Sequence, residues 1–197
     1  AHYKLPFEYA EGPLGPKTSE AKARVARYTF LHQARQKHSA EAIITAHHQD
    51  DLLETAVINW LRGTGRRGLS SLGSSDVIKR PLLHLPKSDL LTYAKGHNLD
   101  WHEDSTNEDE TYLRNYVRQQ IMPRLSPEKR TELLNIIEHA TNSNQVIDEE
   151  LSHALAARSA NRQLDRRWFT ELPHTVAREV MAAWLRQNEV EIDKNLI

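Results

Sequence analysis

The feature that most constrains this chain is a short apolar strand that leads directly into an amphipathic helix. Ala42–Ala46 is apolar and partly β-branched, which is typical of a buried parallel strand. From about Asp50 to Leu61 apolar residues recur at helical spacing, and Gly63 is suited to end the helix. A strand followed at once by a helix predicts an α/β fold. The apolar positions of this helix are Leu52, Leu53, Ala56, Val57, Trp60 and Leu61.

The rest of the chain shows mostly helical periodicity. We predict a domain boundary near Leu125–Thr131, because strand signals end there and only helical patterns follow. This gives an α/β domain over residues 1–125 and a helical domain over residues 126–197. The predicted elements are a loop over Phe7–Thr18, helices over Ser19–Lys37, from a Ser88 cap to Gly96, over Glu110–Met122 and from Pro127 onward, an extended piece within Val77–Leu85, and a helix break at Leu172–Pro173.

Composition excludes several classes of protein and site. Apolar residues make up 39% and charged residues 27% of the chain, which is typical of a soluble globular protein. No apolar run approaches the roughly 20 residues that span a bilayer, and Ala1–Ala10 lacks an export pattern, so we expect a cytoplasmic protein. The absence of cysteine excludes disulfides, thiolate zinc sites and iron–sulfur clusters from these residues.

Histidines and acids cluster where the predicted strand meets the helix. The stretch HHQDDLLET, residues 47–55, lies at the carboxyl end of the strand, where ligands of open α/β sheets bind. Asp51 and Glu54 share a helix face, and two carboxylates there suit a metal ion or an ammonium group. The alternative is a solvated acidic face that complements the helix dipole. His47 and His48 fit a core role as well as a phosphate or metal contact.

A second candidate ligand site is the loop RGTGRRGL, residues 62–69. Its glycines allow the backbone to approach an anion closely, and its arginines can grip the anion in a fork, which predicts phosphate recognition. The glycine spacing differs from a Walker loop, and a plain flexible loop is the alternative. Farther along, Arg114, Asn115 and Arg118 share one stripe of a predicted helix, which is usually explained by surface salt bridges.

Five motifs in order carry a family resemblance. They are HHQDDLLET, RGTGRRGL, RPLL, WHEDSTNED and YLRNYVRQQIMPRL, and the resemblance that they carry covers roughly residues 19–125. Their order and spacing resemble the tRNA(Ile)-lysidine synthetases, members of the PP-loop ATP-pyrophosphatase family. The resemblance implies a Rossmann-like parallel-sheet domain, similar to the adenine nucleotide alpha hydrolases, followed by a helical domain.

The same resemblance implies an activity and assigns residues to it. ATP, with Mg²⁺, adenylates the C2 oxygen of the wobble cytidine of a tRNA(Ile) with a CAU anticodon, and L-lysine then attacks through its ε-amine. By motif, His47 resembles an ATP-site residue, while Asp51, Glu54 and Arg114 resemble the group that holds lysine. The residues that look placed to meet phosphate, of ATP or of the anticodon backbone, are Arg62, Gly65 and Arg66.

One departure from the family pattern bears on activity. The family has an SGGxDS loop that grips pyrophosphate, and these 197 residues contain no such segment. We therefore expect that this chain alone does not form lysidine. The sequence does not set the oligomeric state, for which a homodimer is one option.

Two alternatives from other functional classes stay open. In a metal-dependent phosphohydrolase, His47, His48, Asp50 and Asp51 ligate paired metal ions beside the phosphate-gripping loop. In a non-catalytic RNA-binding fragment, an arginine group in the helical region contacts the nucleic acid backbone, although a solvated helical surface explains the same pattern. That group consists of Arg158, Arg162, Arg166 and Arg167.

Overall fold

The computed structural model of the 197-residue chain describes residues 6–12, 15, 18, 20–101 and 113–190. The chain divides into two compact units. The first unit comprises residues 1–54 and 72–109, and the second comprises residues 55–71 and 110–197. Each unit therefore contains two separate stretches of chain. The domain boundary predicted after residue 125 stays a prediction.

The first unit contains a parallel strand pair flanked by helices. Its elements are α1 (Glu20–Lys37), β1 (Ile43–Ile44), the start of α2 (Gln49–Leu61), β2 (Ile78–Lys79) and α3 (Lys87–Gly96). β1 pairs with β2 in parallel, with Ile43 opposite Ile78. The parallel strand and the helix after it are confirmed, as is helix α1; its predicted cap, Ser19, lies outside the described residues.

Burial of the first strand differs from the prediction. Ile43 is 6% exposed, but Ile44 is 73% exposed, so only one face of the strand is covered by the described residues. Successive strand residues point to opposite faces, and a strand covered on one face therefore buries every second side chain. The expectation of a fully buried strand is wrong for Ile44.

Helix α2 begins and ends where the pattern predicted, but its buried face differs at the last turn. The helix ends in a Schellman motif, in which Gly63 N–H bonds Trp60 O at 2.9 Å and Thr64 N–H bonds Asn59 O at 3.2 Å. Gly63 has φ +64°, which only glycine adopts at little cost. Trp60 and Leu61, which belong to the apolar pattern of the helix, are 73% and 59% exposed. The buried apolar positions are Leu53, Ala56, Val57 and Ile58.

The cap assigned to α3 is a second correction. The helix begins at Lys87 with Pro86 at its N-cap and no side-chain cap, whereas Ser88 lies inside the first turn and donates to Asp89 at 3.1 Å. Proline fits this start because its fixed φ suits an extended cap residue and it has no N–H to satisfy. The predicted end at Gly96 is confirmed.

The second unit is built on one long helix. α4 (Leu113–Tyr116) continues as a π-helical turn (Val117–Ile121) and a 3₁₀ turn (Met122–Arg124), so the single helix predicted over Glu110–Met122 is interrupted within its described part. Pro123 lacks the N–H that a regular helix needs there. α5 (Pro127–Arg158) follows, capped by Ser126, whose Oγ accepts from Lys129 N.

The end of α5 and the chain that follows it form a small core. α6 (Arg166–Thr170) and α7 (His174–Gln187) confirm the break at Leu172–Pro173. A short antiparallel pair, β3 (Ser159–Ala160) and β4 (Gln163–Leu164), is an addition to the predicted helical region. The core consists of Leu151, Leu155 and Val180, with Leu164, Trp168, Phe169, Leu172, Ala183 and Trp184 packed around it.

Candidate active site

The start of α2 is fixed by its own acidic residues. The Asp51 carboxylate accepts a 2.9 Å hydrogen bond from the backbone N–H of His48, which is half of a capping box. Asp50 accepts from the backbone N–H of Lys87 at 2.9 Å and so ties α3 to this end of α2. Asp51 therefore has a structural role in addition to any ligand that it holds.

A cavity of about 260 Å³ lies at the carboxyl end of β1, within the first unit. Among the described residues, its wall carries two arginines from α1, His47 and one carboxylate, that of Asp51. His47 Nδ1 lies 2.8 Å from Thr45 Oγ1, so this bond fixes the orientation of the imidazole ring. The wall suits an anion beside the arginines and a cation beside Asp51. The residues lining the cavity are Arg24, Arg27, Tyr28, Leu31, Thr45, Ala46, His47 and Asp51.

Glu54 lies one helical turn beyond Asp51 and is buried. It is 3% exposed, whereas the side chain of Asp51 is 14% exposed. Both carboxylates make polar interactions within the chain. A carboxylate at this depth is costly unless it is paired or hydrogen-bonded. The interpretation of these two acids as a solvated face is therefore wrong for Glu54.

The glycine- and arginine-rich loop is held by an ion-pair network inside the second unit. Arg66 uses all three guanidinium nitrogens: Nε donates to Glu179 at 2.8 Å, Nη1 to Asn144 at 3.0 Å and Nη2 to Asp148 at 2.6 Å. Asn144 returns a 3.0 Å bond to the carbonyl of Arg66, and Arg67 adds a 2.5 Å contact with Asp148. The side chain of Arg66 is only 19% exposed. The loop is therefore tied to helices α5 and α7.

The match to a family model decides the family of the chain. The model for the PP-loop domain matches residues 6–125, which is more than half of the 197 residues. The chain belongs to the PP-loop domain family. The Rossmann-like fold class predicted for residues 1–125, with a helical region after it, agrees with this match and with the parallel strands.

Curated relatives of this PP-loop chain are named tRNA(Ile)-lysidine synthase. The protein from Nitrosomonas europaea is 39% identical over 142 residues, covering 66% of this chain and 30% of the relative. The protein from Pseudomonas aeruginosa is 33% identical over 187 residues, covering 85% of this chain and 42% of the relative. The motif resemblance is confirmed. The chain spans about 30% to 40% of the length of these relatives.

In the structure of this PP-loop chain, some of the predicted site residues lie close together. For the other residues the predicted role stays a prediction. His47 and Asp51 line one cavity, and Glu54 follows on the same helix. Arg114 belongs to the second unit and makes polar interactions there or elsewhere in the chain, so its pairing with the two acids stays a prediction. Arg62 and Gly65 are exposed. Their phosphate contacts, and that of Arg66, also remain predictions.

Two arginines of the cavity escaped the sequence argument. The helical periodicity of α1 predicts that its basic side is a solvated face. In the structure, however, Arg24 and Arg27 line the cavity. They are three residues apart and share a helix face with Tyr28 close by, which is the only local signal for this role. Which face of α1 borders the end of β1 depends on tertiary packing.

The arginines proposed for RNA binding have protein partners. Arg158 lies 3.7 Å from Asp165, Arg167 lies 3.6 Å from Glu171, and Arg162 donates to the carbonyl of Asn188 at 3.1 Å. All three arginines are exposed, and exposed ion pairs such as those of Arg158 and Arg167 are weak and exchange readily. A nucleic acid backbone can compete for them, so the RNA-binding alternative stays open.

Two kinds of feature are absent from the described residues. No group of three or more histidine, aspartate or glutamate side chains among them is arranged to hold a metal ion. No helix among them has the length and apolar character of a membrane span.

The Arg66 network predicts a specific pH dependence of stability. Burial opposes the charge on Asp148, but the hydrogen bond from Arg66 and the charge of Arg67 outweigh it, so the pKa of Asp148 lies below its ordinary value. A lowered folded-state pKa contributes stability above the unfolded pKa and loses it as pH falls through the folded value. We expect the free-energy difference between wild type and Asp148→Asn to be largest near neutral pH.

Chemical denaturation of both proteins tests this expectation. The difference in free energy of unfolding should begin to shrink as pH falls to about 4, the ordinary pKa of an aspartate, and should continue to shrink until the pH is below the lowered pKa of the folded state. Glu150, an exposed acid on the same helix, gives the control Glu150→Gln, which should show little difference at any pH. A difference for Asp148→Asn that stays constant across this range contradicts the network as its cause.

Proposed function

We propose that the protein containing this chain is an ATP-dependent carbon–nitrogen ligase that converts the wobble cytidine of tRNA(Ile) to lysidine. The observation that carries this proposal is the cavity at the end of β1, whose wall joins Arg24, Arg27 and His47 to the carboxylate of Asp51. This combination suits a polyphosphate beside an ammonium group. The PP-loop family match and the lysidine synthase names of the relatives support the same substrates.

The proposed reaction has two chemical steps. The C2 oxygen of cytidine attacks the α-phosphate of ATP, which forms an O–P bond and releases pyrophosphate. The ε-amine of lysine then attacks C2, which forms a C–N bond as AMP leaves. In the first step the arginines and His47 offset negative charge on the phosphates, and Mg²⁺ enters with ATP because it binds phosphate oxygens.

Asp51 and Glu54 orient lysine in the second step. Both carboxylates hold the ammonium group, and Arg114 takes the carboxylate of the same lysine through its planar fork. The amine must lose a proton before it attacks, and Asp51 or Glu54 is the proposed acceptor. Catalysis then rests mainly on holding the amine in line with C2. Because the substrate is tRNA, we place the enzyme in the cytoplasm.

Labelled lysine tests the proposed function. The protein at the length its gene encodes, incubated with ATP, Mg²⁺ and tRNA(Ile) of CAU anticodon, should transfer one lysine per tRNA and release equal amounts of AMP and pyrophosphate. The same tRNA with uridine at the wobble position should accept none. We expect no transfer by the 197-residue chain alone, because it lacks an SGGxDS segment.

Two outcomes would overturn the proposed function. Phosphate release that is independent of lysine and requires a stoichiometric bound transition metal indicates the metal phosphohydrolase alternative. Salt-sensitive tRNA binding without any ATP turnover indicates the RNA-binding alternative.

A further inference from the structure

Arg80, in the RPLL motif, places a buried positive charge in the first unit without a carboxylate partner among the described residues. It is 8% exposed. One guanidinium nitrogen donates to the carbonyl of Gly73, another donates to the hydroxyl of Tyr28 at 3.5 Å, and Nε is buried without a hydrogen bond. Its backbone N–H donates to Ser74 Oγ at 2.9 Å. A guanidinium placed there without a counter-charge destabilises the fold, so stability alone does not account for it.

Tyr28 connects this buried charge to the cavity. Its hydroxyl meets Arg80, while its ring lies below the guanidinium of Arg24, whose Cζ is 4.9 Å from the ring centroid. Tyr28 and Arg24 both line the cavity at the end of β1. The phenol therefore contacts one buried and one exposed arginine, and the exposed arginine faces the ligand space.

We propose that Arg80 and Tyr28 are positioning residues that hold the guanidinium of Arg24 for the phosphate part of the ligand. This inference rests on the proposed function and adds two residues that act through Arg24. Arg24 is exposed on a helix surface, where a long side chain samples many rotamers and loses that freedom on binding. The Tyr28 ring holds it by a cation–π contact, and the bond from Arg80 fixes the ring. Arg24 is thus arranged before the ligand enters, and the charge of Arg80 adds to the positive potential of the cavity.

Nucleotide binding to the protein at the length its gene encodes tests the proposal. Tyr28→Phe keeps the ring and removes the bond to Arg80, and Arg80→Gln removes the charge. Each change should weaken ATP binding by about threefold to tenfold, the range expected for one hydrogen bond that orders a ligand contact. Adenosine binding should not change, because adenosine has no phosphate. The controls Tyr93→Phe and Lys79→Gln alter an exposed tyrosine and an exposed basic residue of the same unit and should bind ATP as the wild type does.

A double-mutant cycle with Arg24→Gln decides whether the two residues act through Arg24. In that background Tyr28→Phe should have no further effect on ATP affinity, and Arg80→Lys should restore part of the affinity lost in Arg80→Gln when Arg24 is present. Equal losses of affinity with and without Arg24 overturn the proposal, as does an equal loss for adenosine. A wild type that does not bind ATP overturns the proposed function instead, so the two failures are distinct. If Arg80→Gln does not fold, the cycle with Tyr28→Phe still gives the answer.

Discussion

Replacing Glu54 by glutamine should lower kcat/KM for lysine by about a hundredfold and leave KM for ATP nearly unchanged. The substitution keeps the shape of the side chain and removes its charge. A hydrogen bond between charged groups contributes about 1.5–3 kcal/mol, and its burial places this one at the upper end, which corresponds to about a hundredfold. Glu54 is 3% exposed, so water cannot reach the position of its side chain to compensate for the lost interaction with the ammonium group. Steady-state rates at varied lysine and at varied ATP measure the two effects separately.

Controls separate this ligand effect from an effect on folding. Glu41→Gln changes an exposed acid of the same unit and should leave both constants unchanged. Asp51→Asn is a less specific probe, because Asp51 also accepts the N–H of His48 at the start of α2. Its negative charge there stabilises the helix dipole, so neutralising it weakens the helix as well as any contact with lysine. Equal changes in the constants for lysine and ATP, or a wild-type rate in Glu54→Gln, would contradict a role in holding lysine.

Local sequence pattern predicted the order and type of most elements. The spacing of apolar residues predicted the start and end of helix α2 to within about one residue. Gly63 indicated the end of the helix, because only glycine adopts the required φ at little energetic cost. Trp60 and Leu61 belong to the apolar pattern and are nevertheless exposed, since periodicity shows which side of a helix is apolar but not how far the core extends along it. Ser88 failed as a cap because Pro86 occupies the N-cap position and starts the helix two residues earlier.

The sequence indicated candidate site residues where one short segment supplies several of them. HHQDDLLET gave His47, Asp51 and Glu54 because a strand end and a helix start are adjacent in the chain. Arg24 escaped because its role depends on the packing of α1 beside β1. The partners of Arg66 lie 78 to 113 residues away in sequence, and no local pattern predicts which acids meet which arginines over that distance.

Replacing Arg66 by glutamine should lower the free energy of unfolding by about 2 kcal/mol. Three hydrogen bonds to Glu179, Asn144 and Asp148 are lost, and each charged bond contributes about 1 kcal/mol or less after screening by water, since both acids are more than a third exposed. The loop over residues 62–69 also becomes less ordered, which adds to the loss of stability. Chemical denaturation measures the change, and limited proteolysis within residues 62–71 should become faster.

The same variant separates the two roles open to Arg66. If the arginine only ties the loop to α5 and α7, Asp148→Asn and Arg66→Gln destabilise the protein in a non-additive way, and ATP and tRNA affinities stay close to wild type. If it exchanges its acids for a phosphate when substrate binds, Asp148→Asn should tighten binding of the phosphate-bearing substrate, because one competing carboxylate is gone, while Arg66→Gln weakens it. Arg67→Gln is the control. Arg67 is 46% exposed, and of the three acceptors that bind Arg66 it contacts only Asp148. Wild-type stability in Arg66→Gln would exclude the structural role, since removing a network that holds the loop against α5 and α7 must lower the free energy of unfolding.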